Sequence, residues 1–314
     1  MKLKYLAFGG VILLSLLQVG FQPEPTLTIT LGGDVILGRN GQAIFSEDPW
    51  GALTQEQSAV DGSQNWFLVN LESPLGRLAE SQVTGEGYNL CAPAGAADIL
   101  ELGGVDLVST ANNHREDCDE TADLSRELKD IPVLLEGQPV VLESPGGTIT
   151  ILAADAVSKR LDMAALLAAV AEIRRKTDVL IVSLHWGVEY MGEPTQLQRD
   201  QAKQLANAGV DVLWGHHPHV LQPAEWVEAE DGTHRMLTLF SLGNLLTDQT
   251  MTYETRHSAI IQLQFKRGEI SQLSFQPLVL IQKNGRLGLA SPGEEEISQI
   301  SRRLGWAELL ASLP

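Results

Sequence analysis

Three of the seven histidines in this chain fall within four residues, in Trp214-Gly215-His216-His217-Pro218-His219. A neutral imidazole offers a metal ion a lone pair from either ring nitrogen. The spacing of His217 and His219 lets two rings from one turn converge on one or two ions. Gly215 and Pro218 are turn formers, and Val210 to Leu213 before them reads as a short buried strand. The histidines are therefore expected on a loop at a strand end. A polar surface loop or a satisfied buried histidine is the plain alternative for any one of them. Three together in a Gly/Pro turn favour metal binding, and the remaining ligands must then come from elsewhere in the chain.

Ligand-type residues do recur where other apolar runs end. Asp34 follows Leu27 to Leu31, Glu72 follows Trp66 to Val69, and Asn112-Asn113-His114 follows Val105 to Thr110. His185 follows Asp178 to Ser183. In open α/β sheets, sites form beyond the carboxyl ends of strands, so these residues would meet at one edge. One Asp, one Glu, an Asn and several His make a mixed oxygen and nitrogen donor set suited to Zn, Mn or Fe. A carboxylate could bridge two such ions. A two-metal site supplies a hydroxide nucleophile and clamps the attacking and leaving oxygens of phosphoryl or acyl transfer. His114 could be a ligand or the general acid that protonates a leaving group.

Each residue also has a plainer role. Asp34 after two glycines could cap a turn, Glu72 before Ser73-Pro74 could start a helix, either Asn could occupy a left-handed turn position, and His185 could sit in a core. Their joint placement after β-runs weighs against those readings. There is no G-x-S-x-G, no Walker loop and no G-x-G-x-x-G, so neither a serine nucleophile nor a nucleotide cradle is supported. Cys118 lies near His114, but metal chemistry uses that histidine more economically.

The elements that would position these residues alternate. Strands are predicted over 27–31, 66–69, 105–110, 148–153, 178–183 and 210–213. Helices are predicted near Gln55 and over 94–102, 119–130, 163–176 and 196–208, with a polar loop over 80–89. Strands over 236–241, 257–265 and 270–280 then follow without helices, with a hairpin turn at Lys266-Arg267-Gly268. A last helix over 294–310 is weakened by Gly305. This order predicts a layered α/β architecture with two sheets packed between helices. One domain is expected over 27–282, followed by a C-terminal extension over 283–314 that carries the last helix.

Composition narrows the partners. The 314 residues carry a formal net charge of −18 and are 44% hydrophobic. That balance excludes a broad basic face for nucleic acid or an anionic membrane, although bound metal ions could still draw in an anionic substrate. Lys2 and Lys4 precede an apolar run from Tyr5 to Val19, the pattern of an export signal. Residues 1–22 are therefore expected to be a signal peptide, cleaved or kept as a membrane anchor, with the body periplasmic or otherwise extracytoplasmic. Two cysteines, Cys91 and Cys118, fit one bridge in such a compartment, but two free thiols fit the sequence equally.

Gly33-Asp34-Val35-Ile36-Leu37-Gly38-Arg39 resembles the opening motif of the CapA family of bacterial capsule (poly-γ-glutamate) synthesis proteins. Asn70-Leu71-Glu72, Ala111-Asn112-Asn113-His114, His185-Trp186-Gly187-Val188-Glu189-Tyr190, Gly215-His216-His217-Pro218-His219-Val220 and Ser241-Leu242-Gly243-Asn244 resemble its other blocks, in order. The likeness runs over about residues 27 to 250 and is jointly specific. It implies a four-layer α-β-β-α sandwich of metallophosphoesterase type with a dinuclear metal site. By that resemblance Asp34 and His219 would bind the first ion and Glu72 would bridge. Asn113, His185 and His217 would bind the second, and His114 would be the catalytic acid. Arg39, Glu189, Asn112 and His216 are the motif residues left for substrate, Arg39 through a bidentate contact to an anionic group. Ile36 stands where general metallophosphoesterases carry a histidine ligand, so the first ion has one ligand fewer. After His114 the family continues to Asp and Gly, whereas here Asp117 is followed by Cys118 and Asp119.

The implied function is making, anchoring or trimming an anionic extracellular polymer, by cleaving a phosphoester or a γ-linked amide. Membrane-bound polymer synthesis subunits are the expected partners. A non-catalytic metal-binding subunit and a stand-alone metallophosphatase remain open alternatives.

Overall fold

The computed structural model describes residues 26–39, 44–53, 65–77, 89–118, 120–121, 128 and 131–313. The apolar N-terminal stretch, the helix near Gln55 and the polar loop before Asn89 lie outside the described residues.

In chain order the first elements are β1 (Leu27–Val35), β2 (Asn65–Leu71), β3 (Leu75–Arg77), β4 (Ala92–Pro93), α1 (Ala97–Leu102), β5 (Leu107–Ser109), β6 (Glu120–Thr121) and β7 (Val133–Leu134). They are followed by β8 (Val140–Ser144), β9 (Gly147–Asp155), α2 (Met163–Arg174), β10 (Val179–His185), α3 (Gln196–Asn207) and β11 (Val212–His216). The rest are β12 (Ala224–Glu228), β13 (Arg235–Leu239), β14 (Asn244–Leu246), β15 (His257–Lys266), β16 (Glu269–Lys283), β17 (Arg286–Ala290), α4 (Glu294–Leu304) and α5 (Trp306–Ala311).

Two large sheets carry the fold. The first runs β17-β16-β15-β1-β2-β5-β7 with β14 also on β1, and the second runs β12-β13-β11-β10-β9-β8. Near the site both are parallel: β1 pairs with β2, β2 with β5, β9 with β10 and β10 with β11. Strands buried on both faces read as unbroken apolar runs, and the period of two sorts their side chains. Leu27, Ile29 and Leu31 of β1 meet Val179 and Ile181 of β10 between the sheets. Leu180, Val182 and Leu184 point the other way, onto Leu166 and Val170 of α2 and Ala202 and Leu205 of α3. Phe67 and Val69 of β2 pack with Ile99 and Leu100 of α1 on the far side of the first sheet. The layers are therefore α-β-β-α, as expected.

The helix ends are set by local chemistry. The Asp162 side chain accepts from Ala165 N at the start of α2, and Thr195 with Gln198 forms a capping box on α3. Gly305 adopts φ 63° and divides the last helix into α4 and α5. Residues 283–314 are not set apart from the sandwich. β17 pairs with β16, and Ile300, Leu304, Trp306 and Leu309 join the core between the sheets. The helix expected over 119–130 differs at its start, where Glu120–Thr121 is a short strand on β3; most of the remainder lies outside the described residues.

Cys91 and Cys118 are bonded, with Cα atoms 5.0 Å apart across 27 residues of chain. The bridge ties the loop after β5 to the small sheet β4-β3-β6. Closing a loop of that length contributes about 3 to 4 kcal/mol in the chain-entropy picture. Replacing both cysteines by serine is expected to cost about 2 to 4 kcal/mol in urea unfolding of the oxidised protein; an unchanged midpoint would contradict this.

Candidate metal centre

The site lies where the sheets' parallel strands end together. β1 delivers Asp34, the residue after β2 is Glu72, β10 ends at His185 and β11 ends at His216, with His217 and His219 in the turn beyond. His185 and His216 are register partners. Close backbone approach makes this edge tight. A Cβ on Gly33 would lie 2.0 Å from Gly243 O, and one on Gly215 would lie 2.1 Å from Phe240 O. His217 and His219 adopt φ 96° and 57°, left-handed conformations that cost of order 1 to 3 kcal/mol each. That strain turns both imidazoles inward instead of along the strand.

Glu72 is the common neighbour. Its Oε1 lies 3.6 Å from His185 Nε2, 3.6 Å from His219 Nε2 and 3.8 Å from His114 Nε2. Asp34 is held from several sides. Its Oδ1 accepts from Asn70 Nδ2 at 2.8 Å and meets His216 Nδ1 at 3.1 Å, while its Oδ2 accepts from His217 N at 3.2 Å. His219 Nδ1 lies 3.1 Å from Asn244 Oδ1, and Asn244 in turn donates to Thr255 O.

Ligand atoms converge in two buried groups, Asp34 with Glu72 and His219, and Glu72 with His185 and His217, each within 4.8 Å. Glu72 belongs to both. Both Glu72 oxygens, both His185 nitrogens, His217 Nδ1 and Asn113 Oδ1 are buried without a hydrogen-bond partner. Leaving such atoms unpaired costs about 1 to 3 kcal/mol each, so those of Glu72, His185 and His217, which converge, fit a divalent cation. Two of the imidazoles are already in the ligand form. Burial, with His217 next, drives the His185 imidazole well down, and burial with His219 takes His217 down to about 4. Both therefore present free lone pairs at neutral pH. Burial pushes Glu72 up to about 7 against the pull of His219. Burial would lower His219, but the Glu72 and Asp34 carboxylates outweigh it and hold the ring up to about 9. Hydrogen bonds from His216 and His219 overcome burial and keep the Asp34 carboxyl well below its usual range.

The other motif residues are arranged around this centre. His114 Nδ1 lies 2.8 Å from Asp117 Oδ2, and its side chain is 15% exposed. Asn112 and His216, expected to face substrate, are turned inward. Asn112 donates to Leu71 O and accepts from His114 N, and His216 lies edge-on to Trp214. They position His114 and Asp34. Arg39, expected to grip an anionic group, has its guanidinium paired with Asp248. Glu189 is exposed beside His217 and His219. Asn70, Asn244 and Asp117 hold the site residues without having been singled out for a role from sequence, although each lies in or beside a motif block.

A four-layer sandwich with this donor set at its strand ends is the architecture of metallophosphoesterases. Solved structures share the fold. One is a hypothetical protein from Thermus thermophilus, with TM-score 0.52 at 17% identity over 80% of this chain and 98% of that one. Another is a novel phosphatase from Mycoplasma pneumoniae, with TM-score 0.52 at 11% identity over 89% and 99%. Residues 28–130 and 136–249 match the family described as Bacterial capsule synthesis protein PGA_cap, and the chain belongs to it. Its relatives include the PGA biosynthesis protein CapA of Bacillus subtilis (strain 168), 24% identical over 280 residues, which span 81% of this chain and 72% of that protein. The capsule biosynthesis protein CapA of Bacillus anthracis is 25% identical over 284 residues, 80% of this chain and 67% of its own length.

Metal-stripped protein is expected to gain about 2.7 kcal/mol of stability from Mn2+ at a hundred times its Kd. Glu72→Gln is expected to lose that gain. Thermal melts with and without Mn2+ check this, and equal gains in the two proteins would contradict it.

Proposed function

We propose that this chain is a metal-dependent hydrolase of capsule-polymer biosynthesis that cleaves a phosphoester or a γ-linked amide in an anionic extracellular polymer or its precursor. The observation that carries the reading is the buried Glu72 carboxylate, shared by two ligand groups and satisfied by no protein donor. Two divalent ions of Mn, Zn or Fe held there would act as Lewis acids and as the source of a water-derived nucleophile.

The chain's own residues supply the rest. Asp34 is fixed by Asn70, His216 and the His217 amide, so it enters the site ionised and oriented. His114 is the proton donor. Asp117 takes the hydrogen bond from Nδ1 and would stabilise the doubly protonated ring, whose Nε2–H faces the centre and would protonate the leaving oxygen or nitrogen. Asp117 Oδ2 also accepts from Leu90 N at 2.7 Å, and the adjoining Cys91–Cys118 bridge braces that contact. The partial exposure of His114 puts the proton donor at the open side of an otherwise closed centre. Positive charge from bound ions would offset the acidic surface and admit an anionic chain.

The capsule relatives and the disulfide support an extracytoplasmic setting, where membrane-bound synthesis subunits are the proposed partners. Among the described residues no helix is long and apolar enough to cross a membrane.

Metal-loaded wild type and His114→Ala are to be assayed on bis-p-nitrophenyl phosphate and on γ-glutamyl-p-nitroanilide. Wild type is expected to turn over one of them, and the variant to lose about 100- to 10,000-fold in kcat with its metal content unchanged. Full metal content with no turnover of either probe would contradict a hydrolase and leave a non-catalytic metal-binding subunit.

A further inference from the structure

Asp34, Glu72 and His219 form a group of three ligand residues. Ile36, two residues beyond Asp34, is apolar and 1% exposed, so it can donate nothing. A third convergent group shares His219 with that first one. A carboxylate oxygen of Glu189 and ring nitrogens of His217 and His219 lie within 4.8 Å of one another. His217 is 6% exposed, and its Nδ1 has no hydrogen-bond partner.

Glu189 is exposed, yet its backbone is fastened over the histidine turn. Tyr190 N donates to Pro218 O at 2.8 Å, and Gln222 Nε2 donates to Met191 O at 2.7 Å. Gly187 and Tyr190, on either side of it, hold φ 90° and 61°. Two left-handed residues make a sharp bend that brings Glu189 back over the site. Among the described residues no cation pairs with its carboxylate. A negative charge is also a poor receptor for an anionic polymer, which opposes the substrate-binding role expected from its motif.

We propose that Glu189 is a metal ligand, which reaches over the histidine turn and joins His217 and His219 in holding an ion. The inference rests on the metal-centre reading above. One carboxylate and two imidazoles, from Glu189, His217 and His219, are a mixed oxygen and nitrogen donor set that accepts Mn2+.

The test is Mn2+ titration of the metal-stripped full chain, followed by electron paramagnetic resonance of free Mn2+ and by calorimetry. Wild type, Glu189→Gln, Glu189→His, Glu72→Gln and Glu193→Gln are compared. Glu189→Gln is expected to weaken one Mn2+ by about 10- to 100-fold, Glu189→His to recover part of that loss, and Glu193→Gln in the same loop to match wild type. Wild-type affinity in Glu189→Gln, with Mn2+ binding lost in Glu72→Gln, would overturn this inference and leave the metal centre standing. No Mn2+ uptake by wild type would overturn both. The metal-free unfolding midpoint of Glu189→Gln is expected to equal wild type, and a lowered midpoint would indicate a structural role and overturn the proposal.

Discussion

Glu72 carries its carboxylate into the closed edge between the two sheets, where both oxygens are out of water and accept no hydrogen bond. An isolated buried carboxylate is costly enough that proteins pair it, protonate it or give it to a metal. Here the ligand partners are the His185 and His219 imidazoles at 3.6 Å, too far for hydrogen bonds and spaced as ligands around a cation would be. Much else in the structure keeps that arrangement from collapsing. Asn70 and His216 fix the Asp34 carboxylate, and Asn244 holds His219 by its other nitrogen. Fixing one ring nitrogen so that the other faces the centre is how histidine ligands are oriented in metal sites.

The sandwich makes this affordable in conformational terms. Parallel strands buried on both faces bring residues 34, 72, 185 and 216 to one edge without long loops. Residues without a Cβ let that edge close, and the Trp214 indole donates to Gly32 O across it at 2.8 Å. The strained conformations of His217 and His219 persist because Gly215, Pro218 and the latch from Tyr190 over-determine the turn. On the opposite side the Cys91–Cys118 bridge fixes the segment that holds Asp117 against His114. The centre is thus held on its strand side, and among the described residues His114 and Glu189 bring side chains of the site to solvent.

Much of this was legible in the sequence. Buried parallel strands announce themselves as apolar runs, so the residue types following them at 34, 72, 112–114, 185 and 217–219 could be read as one edge. The four layers followed from the alternation of strands and helices. What stayed hidden depends on partners distant in sequence. Nothing local says that Arg39 meets Asp248 or that Asn244 meets His219. His216 looked like its two neighbours, but it is the last residue of β11 and points to Asp34. Edge strands such as β8, β12 and β17 are half exposed and lack a clear apolar run, so residues after 282 looked detached although they complete the first sheet and its core.

Whether the buried Glu72 carboxylate is shared by two cations is tested most directly by anomalous diffraction at the Mn absorption edge, from crystals grown with Mn2+. Two peaks are predicted, one among Asp34, Glu72 and His219 and one among Glu72, His185 and His217, with Glu72 between them. No peak at this edge of the sandwich, or a single peak that does not touch Glu72, would contradict it.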